Sequence, residues 1–567
     1  MVGGAFSGWT SRWSACCQWR QPSVPKAIGL ASRGRGADAA IGAEAQGDTG
    51  GASSRPAPLR ERRCRQARRP PSVSAVPSQI PLNDRLLRSW LRCKRRAWLD
   101  RFGNADQRLW TAHRELQLDE QRRSFSTLFP KKPEHGEAAA AAGAPAVVGL
   151  RLRGQLAGLA LEAHPPLLQR VKGSSRWGEH AYRPVIFRQG RRTTREHRVV
   201  LALWGRLLDA EQGVALAQGL VLSGAGRGLE KETLNLTGSL PRQLDEALER
   251  LAGDLARSTP PPLVADRKKC VLCSWRAACD QVATAEGHLS EVSGIGAKRR
   301  DMLLELGIDR LEHLAAAEPE QLAEALLVHG EQHAEVADQL VTQARVQRVG
   351  QPLRRDPDAA LPELNTAPGV LIYDIESDPD ARDDFLHGFV RLPRSEDGRW
   401  PTPAAAAEAP YHPLLALQEH GEARLWERLQ RLLAAYPDWP VLHYGETELL
   451  ALVRLAQRQG AKERQITQLR SRMIDVHLRL RRHWWMPTNS YGLKATASWL
   501  GFRWRQQGVD GARALLWWRR WRLGGQGPDD RGSRQNLRRI FRYNHDDALA
   551  TWAVAHWLLE QDLPAQP

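Results

Sequence analysis

The clearest hydrophobic pattern in the chain is Gly369-Val-Leu-Ile-Tyr-Asp-Ile-Glu376, an apolar run that ends in two carboxylates. A run without polar alternation predicts a strand covered on both faces. Residues 385–391 follow as its hairpin partner. Residues 439–444 predict a second buried strand, which leads through Gly445-Glu-Thr-Glu448 into a helix. Tyr543-Asn-His-Asp-Asp547 opens a helix whose apolar periodicity continues through Trp552 and Leu558.

Upstream the pattern is more broken. Residues 84–93 carry apolar positions at helical spacing, and 147–152, 156–161 and 182–187 are short strand-like runs. Residues 195–223 and 240–257 predict helices, and Pro260, Pro261 and Pro262 break the chain after them. A compact helical unit is expected over 287–327. Residues 131–146 and 350–368 have linker composition, and 393–410 and 523–535 have that of loop insertions.

Residues 1–80, rich in Gly, Ala, Ser, Arg and Pro, predict a disordered basic tail. Its Arg- and Ser-rich start is like an organelle transit peptide but lacks an amphipathic helix. A solvated tail or an upstream extension of the reading frame explains it better. The length of 567 residues allows three or four domains. No stretch approaches the roughly 18–20 uncharged apolar residues of a membrane span, so no membrane protein is expected.

The formal net charge is +18; residues 1–80, with 12 Lys+Arg and 4 Asp+Glu, supply +8 of it and leave +10 for the rest. A basic chain favours polyanionic partners, DNA or RNA above all, although an unremarkable basic surface has the same charge. The seven cysteines, an odd number without disulfide spacing, point to a reducing, cytoplasmic location and to metal chemistry.

Asp374 and Glu376 stand two apart on a strand and therefore share a face. Two carboxylates aimed at one point repel unless a divalent cation sits between them. Glu446 and Glu448 lie at a strand-to-helix junction, a usual place for ligands in open α/β sheets. Tyr543 and Asp547, four apart, share one helical face. The alternative is that these acids are caps and solvated ends, with Asp547 favoured by a helix dipole. Asp475 and His477 either line the same cleft or cap a helix locally.

Cys270-x2-Cys273-x5-Cys279 is a tight three-thiol cluster without a fourth ligand nearby; Cys93 lies far upstream. Ser293-Gly-Ile-Gly296-Ala-Lys-Arg-Arg300 has the form of a helix–hairpin–helix. Its Gly294 and Gly296 allow backbone amides to approach a phosphate, and Lys298, Arg299 and Arg300 add charge at the same end. Such contacts are independent of base sequence, and the alternative is a plain helical packing unit. The segment 515–522, Leu-Leu-Trp-Trp-Arg-Arg-Trp-Arg, reads either as a base-stacking basic surface or as a core helix with a basic edge.

The acids of residues 369–563, taken in order, resemble those of the DEDD exonucleases, and most closely the YprB-type ribonuclease H-like domain. That resemblance implies that Asp374, Glu376, Glu448 and Asp547 hold two Mg2+ or Mn2+ ions and that Tyr543 orients the attacking water. Glu448 stands where the family usually has Asp. Residues 490–502 resemble the family's substrate-side helix, which makes Lys494 a phosphate contact. One early and three late cysteines resemble the iron–sulfur staple of RecB-like nucleases, implying a [4Fe–4S] cluster on Cys93, Cys270, Cys273 and Cys279; a four-thiolate zinc site or unligated core cysteines are the alternatives. His113 matches that family's first histidine, or is a surface residue. The family's metal-binding acids are replaced by Pro166 and Ile186 and its lysine by Arg188, so hydrolysis is expected to be lost there.

The chain as a whole is similar to a RecB-like family with this domain order. The expected fold is multidomain α/β: a RecB-like α/β nuclease fold at 83–286, a helical hairpin domain at 287–349, a linker at 350–368, and a C-terminal ribonuclease H-like mixed sheet flanked by helices at 369–563. The expected function is a metal-dependent 3′–5′ exonuclease on DNA or RNA in repair or nucleic-acid processing. The alternatives are an inactive nucleic-acid-binding scaffold and an adaptor whose cluster senses redox state.

Overall fold

The computed structural model describes residues 81–562 except 189, 191, 225–227, 266, 418–420 and 524–530. The expected tail, with Cys16, Cys17 and Cys64, lies outside the described residues. From Leu82 onward the chain is a single compact unit. It starts where the side chain of Asn83 caps the helix Asp84–Arg92 by accepting from Leu86 N at 2.9 Å.

Residues 82–286 contain a six-stranded sheet and a three-stranded sheet around the helix Arg195–Gln212. That helix is buried on nearly all sides, from Val199 to Leu208. The expected strand at 156–161 is instead the turn of a hairpin. Leu152–Leu156 pairs with Leu159–Ala163, and Ala157 and Gly158 take positive φ between them. The expected helix over 195–223 stops at Gly213, whose φ of 73° closes it, and Gln218–Ser223 is a strand. The expected loop at 131–146 contains the short helix Gly136–Ala141.

The helical unit extends beyond 327 to the helix Ala337–Val349 and closes over Leu289, Ile295, Leu303, Leu314 and Leu340. The segment 350–368 is not a free linker. Leu353–Arg354 pairs antiparallel with Trp484–Trp485, and Ala360, Leu361 and Leu364 enter the core of the last domain. Its prolines reveal an extended chain; the hydrogen bonds that dock it are invisible in its hydropathy.

The last domain is a five-stranded mixed sheet in the order Tyr411–Leu415, Asp383–Pro393, Gly369–Asp378, Val441–His443, Met473–Asp475. The central strand Gly369–Asp378 pairs antiparallel with Asp383–Pro393 and parallel with Val441–His443. Its side chains alternate between two cores. Leu371 and Tyr373 face the helix Gly421–Ala435 side, whereas Val370 and Ile372 face the side covered by the helix Arg531–Asp562. Asp374 and Glu376 continue the second series, so the strand's own periodicity aims them at that helix.

Trp518 stacks on Phe385 with ring centroids 4.5 Å apart, and Leu515, Leu516 and Trp517 are buried with it. The Trp/Arg segment is therefore a core helix with a basic edge. It also packs Ala112 and Leu116 of the first domain. No helix among the described residues is long and apolar enough to cross a membrane.

Buried His387, whose Nδ1 lies 2.8 Å from the Tyr373 hydroxyl, is pushed down to about 4, chiefly by burial. An unfolded histidine titrates near 6.5 and so binds a proton first as pH falls. Stability carried by neutral His387 is then present above 6.5 and lost as pH drops towards 4. Urea unfolding at pH 7 and 4.5 is expected to show a smaller acid-induced loss for His387→Gln than for the wild type, by on the order of 2–3 kcal/mol.

Candidate active site

Asp374, Glu376 and Asp547 converge. One oxygen from each lies within 4.8 Å of the other two, the only such group of His, Cys, Asp or Glu among the described residues. The strand supplies the first two acids, and the helix crossing its covered face supplies the third. The register of the central hairpin shifts between Glu376 and Ser377, directly after the acidic pair. Asp547 does not sit in a helix's first turn, because the helix starts at Arg531. A dipole-stabilised helix end therefore does not explain it.

The cluster is held under electrostatic stress. Burial raises Asp374 and Glu376 well above the usual carboxylate range, and the charge of Asp547 raises both further. Glu448, in the first turn of the helix Glu446–Arg458, is buried and pushed up to about 7 by burial and by Asp475 and Asp547. It stands outside the tight trio, yet both Asp374 and Glu376 feel its charge. Its Oε2 is buried without a partner. Glu446 is exposed. Asp475 is occupied in holding chain: it caps Leu478 N at 3.1 Å and accepts from Gly445 N at 3.0 Å.

Lys494 is the nearby counter-charge. It lowers Asp374, Glu376 and Asp547, and its ammonium lies 4.9 Å from the centre of the Tyr543 ring. Tyr543 is buried, hydrogen-bonded to Asp547, and kept protonated by burial and by the three acids.

Sequence reasoning missed the groups that hold this cluster in place. Asn544 Nδ2 donates to Asp374 Oδ2 at 2.7 Å, the Tyr411 hydroxyl donates to Asn544 Oδ1 at 2.8 Å, and Trp504 Nε1 donates to Asp547 Oδ1 at 2.6 Å. Asn544 fits only because Gly388, opposite Asp374, has no side chain: a Cβ there would lie 1.7 Å from Asn544 Oδ1. A glycine inside a buried strand was the available signal of that close approach.

The other expected groups lie apart from this cluster. Cys93 caps the junction of two helices, Cys270 lies in the turn Arg267–Leu272, Cys273 follows it, and Cys279 lies in the helix Arg276–Ala285. All four are free thiols; Cys270 feels the charge of the other three, and Cys93 and Cys279 both feel that of Cys273. Burial, with Cys273 and Cys93, pushes Cys270 up to about 11. Ile186 is fully buried, Arg188 pairs with Glu230 at 2.9 Å, and Pro166 is half-buried between strands. Gly294 has a φ of 92°, and Arg299 Nη1 closes its hairpin by donating to Gly294 O at 2.7 Å. Lys298 is exposed, while Arg300 turns towards His288 and lines a different cavity from the hairpin.

A family model named RNase_H_2, of the RNase H superfamily, matches residues 371–559. The match covers the central strand, Glu448, Lys494 and Asp547, and it supports an RNase H-like C-terminal domain. No curated protein matches the chain. That fold family generally hydrolyses nucleic acids, which supports a nuclease-type function for this domain.

The oxygen-only donor set and its convergence fit a hard divalent cation. Replacing Asp374 with Asn keeps an acceptor for Asn544 and removes one buried repelling charge. The metal-free Asp374→Asn protein is expected to melt higher than the wild type, by roughly 2–4 °C per kcal/mol gained. Its stabilisation by Mn2+, which in the wild type reaches about 2.7 kcal/mol at a hundredfold excess over Kd, should largely vanish. Calorimetry with and without Mn2+ reads both, and an undiminished Mn2+ response would count against a metal site here.

Proposed function

We propose that the chain is a divalent-metal-dependent nuclease of 3′–5′ exonuclease type, acting on DNA or RNA in repair or nucleic-acid processing. The observation that carries this reading is the trio of half-buried Asp374 with buried Glu376 and Asp547, facing Tyr543 and Lys494. Asp374, Glu376, Glu448 and Asp547 would hold two Mg2+ or Mn2+ ions. Ions bound there supply Lewis-acid stabilisation of the attacking and leaving oxygens of a phosphodiester.

The chain's own groups do the rest. Tyr543, still protonated, aligns a water through its hydroxyl while Asp547 fixes the ring. Lys494 offsets the carboxylate charge and meets the incoming phosphate. Asn544 keeps Asp374 in the orientation its strand gives it. End-labelled single-stranded DNA and RNA, incubated with Mn2+, should be shortened from one end by the wild type and left intact by Asp374→Ala. Tyr543→Phe should lower kcat by about 10²-fold or more with little change in KM. No degradation by the wild type would falsify the enzyme reading and leave a nucleic-acid-binding scaffold.

Residues 83–286 are read as a RecB-like domain without hydrolytic function, because an apolar Ile186 and an ion-paired Arg188 cannot hold a metal. The hairpin residues Gly294, Gly296, Lys298 and Arg299 are read as phosphate contacts, whereas Arg300, turned to a different cavity, is left out of that set. Cys93, Cys270, Cys273 and Cys279 are read as ligands of a [4Fe–4S] cluster, with zinc as the alternative. What supports a shared centre is that Cys270 feels the charge of the other three thiols. Anaerobically purified protein should then carry iron and sulfide with broad absorption near 400 nm, and Cys93→Ser should lose it. Stoichiometric zinc without iron would reverse the assignment.

A further inference from the structure

A cavity of about 800 Å3 separates the helical unit from the last domain. One wall is the hairpin, with Gly294, Gly296 and Arg299; the other carries Arg481, Trp485 and the turn 490–492. The two walls are bolted together. Gln343 Nε2 donates to Met486 O at 2.8 Å, the Tyr491 hydroxyl donates to Gln343 Oε1 at 2.9 Å, and Asn489 Nδ2 donates to Glu291 Oε2 at 2.8 Å. The space between them is thus part of a fixed geometry.

Its charge is unbalanced. The acids that line it, Asp280 and Glu291, are both engaged by Arg267. Arg355 and Arg481, which line it too, are exposed and have no carboxylate partner among the described residues. The Arg355 guanidinium lies 4.7 Å over the half-buried Trp485 ring. A cation–aromatic pair in a basic groove is the combination that stacks unpaired bases while neutralising phosphate.

The cavity wall is continuous in the chain with the elements that carry the acidic site. The turn 490–492 opens the helix Leu493–Trp499, which carries Lys494 to the Tyr543 ring. His477, on the cavity wall, lies 5.3 Å from the Tyr444 ring, and the Tyr444 hydroxyl donates to Tyr491 O at 2.5 Å. Tyr444 directly precedes the Gly445-Glu446-Thr-Glu448 junction.

We propose that this cavity is the path by which a single nucleic-acid strand reaches the acidic site, with phosphates held by the hairpin amides and Arg481 and a base stacked on Trp485 and Arg355. The inference rests on the nuclease reading of the last domain and adds the form of its substrate. A duplex keeps its bases stacked on each other and offers none to Trp485; an unpaired strand does.

The test is fluorescence anisotropy of the full chain, in EDTA, with a labelled single-stranded oligonucleotide and with the same sequence as a duplex. Arg481→Glu and Trp485→Leu should each weaken single-strand binding by about tenfold or more, and Arg481→Glu should reduce the salt slope by about one. Duplex binding should change less. Arg481 is exposed, so its variant should keep the wild-type urea midpoint and remain informative if the tryptophan variant misfolds. Unchanged single-strand affinity in Arg481→Glu overturns the proposal, as does an equal loss for strand and duplex. Because EDTA removes hydrolysis from the readout, a protein that binds through the cavity but never cleaves marks failure of the nuclease reading alone.

Discussion

Mutual repulsion of buried carboxylates is the constraint around which the last domain is built. Asp374 and Glu376 occupy positions that the strand's alternation would otherwise fill with core residues such as Val370 and Ile372. They face Asp547, whose charge raises both. The fold withstands this because neutral donors surround the trio: Asn544, Trp504 and Tyr543 all contribute hydrogen bonds, and Lys494 contributes a nearby positive charge. A site made this way is poised for cations, because a bound ion turns the least favourable contacts of the domain into its strongest.

How much of this was legible in the sequence depends on the kind of signal. The acidic strand, Glu448 at a strand end and the Tyr543–Asp547 spacing were legible because periodicity fixes their direction. Asn544 was not, since a neutral amide has no charge pattern of its own; its only trace was Gly388 in a buried strand. Trp504 was hidden by a separation of 43 residues from Asp547. The strand Gln218–Ser223 was read as helix because its apolar residues follow a helix with little polar interruption, and only Gly213 marks the change. The cysteines illustrate the opposite case. Their spacing was legible, but spacing alone gave Cys93 no link to the other three; the family resemblance implied one, and in the fold Cys93 feels the charge of Cys273 and Cys270 feels that of Cys93.

The helical unit and the segment after it give the molecule its continuity. The unit has its own small core, but its docking on the last domain is polar, through Gln343, Asn489 and Tyr491. Polar docking of this kind fixes orientation more than it adds stability, because each net hydrogen bond contributes only about 1 kcal/mol. The first domain is tied in differently, by Ala112 and Leu116 against the Trp518 helix and by Glu115 to Arg513 at 2.9 Å. The chain thus uses apolar contact where an interface must hold and directional contact where it must aim.

The helix Arg531–Asp562 carries Tyr543, Asn544 and Asp547, and at its end Asp562 accepts from Arg354 and from Ala360 N, both at 2.7 Å. The helix is therefore both the lid of the acidic cluster and the clasp on the segment leaving the helical unit. On the ribosome, everything before residue 531 emerges first. During that interval the nascent chain exposes Asp374 and Glu376 without the residues that complete their site. The acidic cluster is complete only when the last helix is in place, so an incompletely synthesised chain lacks Asp547 and the assembled trio.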